Sequence, residues 1–319
     1  MTALKFIKLK QKSWAERKGF TLLPGTIANE DGDKIYFDDY NKNLYAKLSE
    51  DNKNNYNKGQ GGEIRDTTKR RAPMKAAFSS SAIVVNLHQY WQNQEINKTP
   101  LLIALELVND NDKVGDVKIK FEEKLQIKYE DGKIIKNVKF GTPNLDVMIE
   151  FGDKIIAIES KFTEPYTKKR NKNSHIQDSY IKKETLWEIL PNLEQLAQAI
   201  HNTNNPIEKK EIKELIEKLR KTKHLDASQL IKHILGLKSN YDKNFTLLYL
   251  WYDVPGTEEA KEHQEEIEAF ASIAKADEID FHHITYQKVI SYLEENYKNE
   301  HENYIKYLVE RYSKYPSTL

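Results

Sequence analysis

The stretch Thr142-Pro-Asn-Leu-Asp-Val-Met-Ile-Glu-Phe-Gly-Asp-Lys-Ile-Ile-Ala-Ile-Glu-Ser-Lys-Phe162 decides the predicted fold. Two apolar runs, residues 145–151 and 154–162, flank Gly152-Asp153. A Gly-Asp pair between two runs of strand-forming residues is typical of a two-residue hairpin turn. The sequence therefore predicts a β-hairpin, and the turn fixes which residues face each other across it.

The register of this hairpin brings two acids together. If Phe151 faces Lys154, pairing continues down the ladder and ends with Asp146 opposite Glu159. The intervening pairs include Glu150 with Ile155 and Met148 with Ala157. Cross-strand neighbours have Cβ atoms roughly 4.5–5.5 Å apart, and like charges at that spacing repel unless a cation lies between them. A divalent metal ion is the natural cation for such a pair.

Lys161 is expected to join the two acids. Side chains alternate along a strand, so Lys161, two residues beyond Glu159, projects from the same face as both carboxylates. Hard oxygen ligands suit Mg²⁺, which usually takes one or two protein carboxylates and fills its other positions with water and phosphate oxygens. The hairpin thus predicts an Asp-Glu-Lys site that binds Mg²⁺.

Asp146 and Glu159-Ser160-Lys161 resemble the motif of the PD-(D/E)XK nuclease superfamily, the fold of many restriction endonucleases. The resemblance implies an α/β fold with an α-β-β-β-α-β core, in which a mixed sheet is flanked by helices. It also implies that Asp146 and Glu159 bind Mg²⁺, or Mn²⁺ in its place, with the backbone carbonyl of Ser160 as a further ligand. Pro143 stands three residues before Asp146 rather than directly before it, which departs from the motif without removing an acid.

Longer segments resemble a narrower family of bacterial restriction endonucleases. The resemblance covers about residues 75 to 312 and is carried by residues 79–88, 157–166, 225–237 and 247–254. It implies a DNA-cleaving hydrolase of the restriction or defence type. The expected architecture is a restriction-endonuclease-like core with a helical insertion and C-terminal helices.

The composition limits the remaining possibilities. Among 319 residues there are 50 Lys and Arg against 49 Asp and Glu, so a DNA-binding surface has to be local rather than global. The absence of cysteine excludes disulfides and thiolate zinc sites and suits a reducing cytosol. No apolar run approaches the roughly 18 residues of a membrane span. We therefore expect a soluble, cytoplasmic protein with no membrane partner.

Three parts are expected along the chain. Residues 1–75 are expected to form a basic, loop-rich N-terminal extension, because residues 1–18 are basic and residues 31–71 are rich in Asn, Asp, Gly and Lys and predict a long loop. Residues 76–290 form the nuclease core, with an amphipathic helical insertion at about 167–224. Residues 291–319 predict C-terminal helices packed on the core.

A second hairpin is predicted upstream of the first. Asp131-Gly132 is a strong turn signal between strands at residues 117–129 and 133–140. Glu123 is in phase with apolar residues of the first strand, so it is either an additional acid near the metal or a strand-edge residue that reaches solvent. Glu122 faces the other way and is less attractive.

The helix that follows the catalytic strands supplies two further candidates. The superfamily resemblance implies a Gln or Lys near the scissile phosphate, which here is Gln229 or Lys232. Asp226-Ala-Ser-Gln229 is also a capping-box pattern, in which the Gln229 side chain bonds back to the N-cap backbone. We favour the cap for Gln229.

Basic clusters near the expected site are candidates for contacts with nucleic acid, because loops beside the chemistry commonly hold the substrate. The same charges are also typical of a solvated surface. The residues are Lys69, Arg70, Arg71, Lys168, Lys169, Arg170 and Lys172.

The expected function is a Mg²⁺-dependent, type II-like endonuclease that hydrolyses DNA phosphodiester bonds. Lys161 orients the attacking water and offsets negative charge, since neighbouring carboxylates oppose its deprotonation. Two alternatives stay open: a DNA-binding or complex-forming protein without turnover, and a nuclease that acts on RNA or branched repair intermediates. Cutting both strands of a symmetric site would favour a homodimer.

Overall fold

The computed structural model describes residues 1–27, 32–58, 62–127, 143–168, 172–182, 184–202, 204, 207 and 210–313. It contains a five-stranded mixed sheet with helices against both faces, and a small two-stranded sheet. This is the α/β, restriction-endonuclease-like fold that the sequence predicts. No helix in these ranges is both long and apolar enough to cross a membrane.

The larger sheet combines an antiparallel meander with two parallel strands. In chain order the strands are β1 Leu23–Pro24, β2 Lys34–Tyr36, β3 Val117–Lys124, β4 Asn144–Phe151, β5 Lys154–Lys161, β6 Thr246–Trp251 and β7 Phe281–Thr285. β1 and β2 form the small sheet, and the larger sheet has the order β3-β4-β5-β6-β7. Pairing is antiparallel from β3 to β5 and parallel from β5 to β7. The carboxyl ends of β3 and β5 and the amino end of β4 therefore lie at the same edge.

Helices supply the crossovers that parallel strands require. They are α1 Ala3–Arg17, α2 Glu50–Lys58, α3 Ser80–His88, α4 Thr99–Ala104, α5 Asp178–Ile181, α6 Pro191–His201, α7 Lys213–Leu219, α8 Ala227–Tyr241, α9 Glu258–Ala276, α10 Tyr286–Tyr297 and α11 Glu302–Leu308. Helices α5 to α8 connect β5 to β6, and α9 connects β6 to β7. The order α3-β3-β4-β5-α8-β6 reproduces the expected core, and α5 to α7 occupy the predicted insertion.

The sheet is buried on both faces. Val147, Ile149 and Ile158 pack with α3, α4, α10 and α11 on one side, whereas Met148 and Ala157 pack with α6, α8 and α9 on the other. Such double coverage explains why the strands are almost continuously apolar. Charged residues of β4 and β5 can then lie only where the sheet ends, which is where the acids are.

The hairpin between β4 and β5 has the predicted register. Phe151 pairs with Lys154, and the ladder continues through the expected pairs to Val147 with Ile158, one residue before Asp146 and Glu159. Gly152 has φ +54°, the left-handed conformation that a glycine adopts without steric cost. A turn with this conformation at its first central residue matches the twist of the two strands.

Helix α2 lies in a region that we expected to be loop. The sequence of residues 50–58 is rich in Asn and Lys, and it folds because of its tertiary contacts. Tyr56 is buried and its ring lies 6.3 Å from the ring of Phe121 on β3. The Asn52 amide donates a hydrogen bond to the side chain of Gln92 at 2.8 Å. These contacts attach α2 to the large sheet.

A buried arginine ties the N-terminal helix to the C-terminal end. Arg311 lies in the π-helical turn Val309–Ser313 and is completely buried. Its guanidinium donates to the side chain of Gln11 on α1 at 3.0 Å and to the backbone oxygen of Asn43 at 2.8 Å. It also lies 4.3 Å from the centre of the Trp14 ring. The N-terminal region therefore packs on the rest of the chain, while the boundaries at residues 75 and 290 remain a prediction.

The upstream hairpin is only partly described. Strand β3 ends at Lys124, five residues before the predicted end. The predicted turn at Asp131-Gly132 and the return strand at residues 133–140 lie outside the described residues.

Gly152→Ala should destabilise the protein, because an alanine in the left-handed conformation costs roughly 1–2 kcal/mol. Gly115→Ala is the matched control. An added Cβ meets nothing within 4 Å at either position, but only Gly152 has a left-handed φ. Urea denaturation measures both free energies of unfolding. Equal free energies for the two variants would contradict the turn geometry.

Candidate active site

Three predicted residues come together at the edge of the sheet where β4 begins and β5 ends. Asp146 lies near the start of β4, and Glu159 and Lys161 lie near the end of β5. Glu159 is only 1% exposed, whereas Asp146 and Lys161 are partly exposed. The site is therefore closed behind Glu159 and open to solvent beside Asp146 and Lys161.

Both oxygens of Glu159 contact basic side chains. Oε1 accepts a hydrogen bond from Nζ of Lys161. Oε2 lies 2.8 Å from Nε2 of His233, a distance typical of a hydrogen bond although the angle is not. Burial favours the neutral form of Glu159, but Lys161 and His233 outweigh it and lower the pKa of this carboxyl. Glu159 is therefore ionised at neutral pH.

At Asp146, burial and the neighbouring charge act in the same direction and raise the pKa. Its Oδ2 accepts a hydrogen bond of 2.7 Å from the backbone N–H of Ser160, which holds the carboxylate against the end of β5. Burial and then the negative charge of Glu159 raise the pKa of Asp146 well above its usual value. The two acids thus repel each other, as the predicted register requires.

Lys161 is held as a cation between these acids and helix α8. Burial alone lowers the pKa of Lys161, but Glu159 and Asp146 raise it above its usual value. Its Nζ also donates to Oε1 of Gln229 at 3.0 Å. A lysine held in this way supplies positive charge and donors rather than a base.

The start of α8 positions two of the site's side chains. Asp226 caps the helix by accepting a hydrogen bond from the backbone N–H of Gln229 at 2.9 Å. The Gln229 side chain does not return to the N-cap as we expected; it accepts from Lys161. His233 lies four residues further on, so both side chains are on one face of α8. That spacing was the signal for His233, which the sequence reading missed.

Glu122, rather than Glu123, lies beside the acids. Residues Phe121 and Glu123 pair with Val147 and Leu145, which puts Glu122 opposite Asp146. Glu122 has φ +56° and interrupts the alternation on which the choice of Glu123 rested, and the role of Glu123 stays a prediction. Phe121 consequently packs in one core and Leu125 in the other.

The environment of Glu122 is acidic. Burial raises its pKa to about 7; a hydrogen bond from Asn144 opposes this rise, and the charges of Glu63 and Glu159 add to it. Glu63 precedes α3 and accepts a hydrogen bond from Ser81 at 2.7 Å. Glu122 is therefore a third carboxylate beside the Asp146–Glu159 pair, and Glu63 is a fourth that lies near Glu122.

The other predicted basic residues lie elsewhere. Nζ of Lys232 donates a hydrogen bond to Oγ of Ser174 at 2.8 Å rather than to a residue of the acidic site. Lys172 is buried and its ammonium donates to the backbone oxygens of Glu164 and Thr167, so burial removes it from any surface that contacts phosphate.

The remaining predicted contacts with nucleic acid fall into three groups. Lys69, Arg70 and Lys168 are exposed. Arg71 is half-buried and donates to the backbone oxygen of Pro24 at 2.9 Å. Lys169 and Arg170 lie outside the described residues.

The comparison with family models agrees with this geometry. A family described as restriction endonuclease associating with ARP matches residues 8–313, which is nearly the whole chain. The chain belongs to this restriction endonuclease family. Membership of this family indicates nuclease activity. No curated protein and no solved structure matches the chain.

The carboxylates at this edge of the sheet are of the type that Mg²⁺ binds. Asp146 and Glu159 are hard carboxylate ligands at one edge, and Mg²⁺ usually takes only one or two from a protein. The described residues contain no group of three or more His, Cys, Asp or Glu side chains arranged to hold a metal. Asp146 is partly exposed, so a hydrated ion beside it is compatible with the site.

Glu122→Gln should reduce the pH dependence of stability. With a pKa of about 7 in the folded protein and 4.5 as its ordinary value, Glu122 costs nothing below 4.5 and destabilises the fold increasingly as pH rises towards 7. The shift corresponds to at most about 3 kcal/mol. Urea denaturation at pH values below 4.5 and near 7 measures how much the free energy of unfolding falls between them.

Glu123→Gln is the matched control for this experiment, because Glu123 is the next residue along β3 and is similarly half-buried. Its stability should fall with rising pH as that of the wild type does. If the free energy of unfolding fell by the same amount with rising pH in both variants, the position of Glu122 beside Asp146 would be contradicted.

Proposed function

We propose that the chain is a Mg²⁺-dependent endonuclease that hydrolyses DNA phosphodiester bonds in a restriction or defence role. The observation that carries the proposal is the repelling pair Asp146 and Glu159, with Lys161 hydrogen-bonded to the second acid. Two adjacent carboxylates that destabilise each other require a cation, and Lys161 already neutralises one charge. The family supports nuclease activity, and the pair supports its dependence on metal.

Asp146 and Glu159 would hold Mg²⁺, with Mn²⁺ able to replace it and the backbone carbonyl of Ser160 as a further ligand. A bound divalent ion would supply Lewis acidity at the phosphoryl oxygens and lower the pKa of an attacking water. Ser160 stabilises the arrangement from the protein side, because its N–H holds Asp146 while its Oγ lies 2.6 Å from the hydroxyl of Tyr286.

Lys161 and Gln229 would contact the substrate. Lys161 is partly exposed and cationic, so it attracts the scissile phosphate and donates hydrogen bonds to it or to the attacking water. Gln229 fixes the position of this ammonium by accepting a hydrogen bond from it. His233 positions Glu159 from behind and touches neither water nor phosphate, since it is only 2% exposed.

DNA is the substrate that the restriction endonuclease family suggests, and Lys69, Arg70 and Lys168, which are exposed, would contact its phosphates. The family description also associates its members with ARP. We include this association in the proposal as a partner of the nuclease. A twofold dimer would allow both strands of a symmetric site to be cut.

Asp146→Ala and Lys161→Ala should each abolish Mg²⁺-dependent cleavage of supercoiled plasmid, with losses of about 10²-fold or more. The first substitution removes a metal ligand, and the second removes the cation that stabilises the phosphate. Agarose-gel electrophoresis of nicked and linear products measures the rates. Chelation of the metal should stop cleavage by the wild type.

Asp153→Ala and Lys154→Ala are matched controls, because they remove the same charges from exposed positions of the same hairpin. Both should cleave as the wild type does. Undiminished cleavage by the Asp146 and Lys161 variants would contradict the assignment of the site. Cleavage of single-stranded RNA or branched DNA in preference to duplex DNA would keep the site and change the substrate.

A further inference from the structure

A groove separate from the catalytic acids lies between helix α1 and the small sheet. It has a volume of about 560 Å³ and is lined by α1, β1, β2 and Phe78. This volume is within the range of small-molecule sites, roughly 300–1,000 Å³, and is too small to enclose a double helix. None of the catalytic residues lines it.

The groove is positively charged. Lys5, Lys8 and Lys12 lie at helical spacing along α1 and line one wall, and Lys34 of β2 lines the other. Among the described residues, Lys5, Lys8 and Lys34 form no ion pair, and Lys12 approaches Glu16 only at 3.8 Å. Asp33 is the one acid among the described lining residues. Four lysines against one aspartate favour an anionic occupant.

The interior of the groove is aromatic. The rings of Tyr36 and Phe78 lie 6.2 Å apart at 79°, and both are only partly buried. The ammonium of Lys8 lies 4.7 Å from the centre of the Phe78 ring. The backbone of Gly25 packs so closely on Tyr36 that an added Cβ would lie 2.5 Å from the ring, which fixes the ring's position. Lysines beside aromatic rings are the combination that binds unpaired nucleotides.

The groove borders a further basic residue, Arg70. Thr26, in the groove lining, pairs with exposed Arg70 through an isolated β-bridge. Arg70 also acts on Tyr36, where its charge opposes the rise in pKa that burial causes. The basic surface therefore extends beyond the groove to Arg70.

We propose that the groove binds an unpaired nucleotide of a DNA strand, with its base against Phe78 and Tyr36 and its flanking phosphates on Lys5, Lys8 and Lys34. The site selects single-stranded or extruded bases, because a base that is paired and stacked inside an intact duplex cannot contact the rings. It is a second DNA site, and it does not depend on metal-dependent cleavage at Asp146.

Fluorescence anisotropy with a labelled oligothymidylate in EDTA tests the groove without cleavage. Phe78→Leu should weaken binding by about tenfold through loss of stacking. Lys5→Gln with Lys34→Gln should weaken it and reduce the salt slope of log K by about 1.4, since each phosphate contact on a single strand contributes ~0.7. Lys275→Gln with Lys298→Gln removes two exposed lysines elsewhere and should leave the affinity and the salt slope unchanged.

Two further arms identify the occupant. An abasic oligonucleotide should bind the wild type as weakly as oligothymidylate binds Phe78→Leu, and polyglutamate should compete poorly. Duplex DNA should bind the wild type and Phe78→Leu equally. Because EDTA removes any divalent metal, a change in oligothymidylate affinity at Phe78, or at Lys5 with Lys34, does not depend on whether Asp146 supports cleavage, which separates this site from the proposed catalysis.

The proposal is overturned if both groove variants bind oligothymidylate as the wild type does. It is also overturned if polyglutamate competes as well as DNA does, which would indicate an acidic protein segment, or if Phe78→Leu weakens duplex and single-stranded binding equally. Circular dichroism melting verifies that the variants are folded, and the lysine pair tests the site even if Phe78→Leu is unstable.

Discussion

Repulsion between Asp146 and Glu159 is the constraint on which the site depends. The Gly152-Asp153 turn fixes the register that brings the two acids to one edge, and burial of both sheet faces leaves no alternative position for their charges. The fold offsets the repulsion at three points. Lys161 and His233 contact Glu159, and the Ser160 N–H holds Asp146. Such an arrangement costs stability unless a divalent cation binds.

The sequence was sufficient wherever local rules decided the structure. The hairpin register follows from one glycine turn and period-2 alternation, and the helix and strand order follows from apolar patterning. The alternation of side chains between the two faces of β3 is interrupted at Glu122, whose positive φ moves the following side chains to the other face. Helix α2 was missed because it depends on contacts with residues distant in sequence, such as Phe121. Gln229 was assigned to its cap because a side chain's choice between two partners depends on tertiary structure.

Although the net charge is close to zero, acidic and basic side chains are concentrated in different parts of the molecule. Carboxylates from three strands and from the segment before α3 gather at one edge of the sheet, whereas lysines gather between α1 and the small sheet. Arg311 joins the N-terminal and C-terminal segments that support the basic region. The acidic centre suits metal-assisted hydrolysis of a phosphodiester, and the basic region suits the polyanion that contains it.

Thermal unfolding of the wild type and Asp146→Asn, with and without Mg²⁺ and without DNA, tests the central claim most directly. Asparagine removes the repelling charge and still accepts from Ser160, so the metal-free variant should unfold at a higher temperature than the metal-free wild type. Saturating Mg²⁺ should stabilise the wild type by about 2–3 kcal/mol and leave the variant unchanged. Equal stabilisation of both proteins by Mg²⁺, or a less stable metal-free variant, would contradict the account.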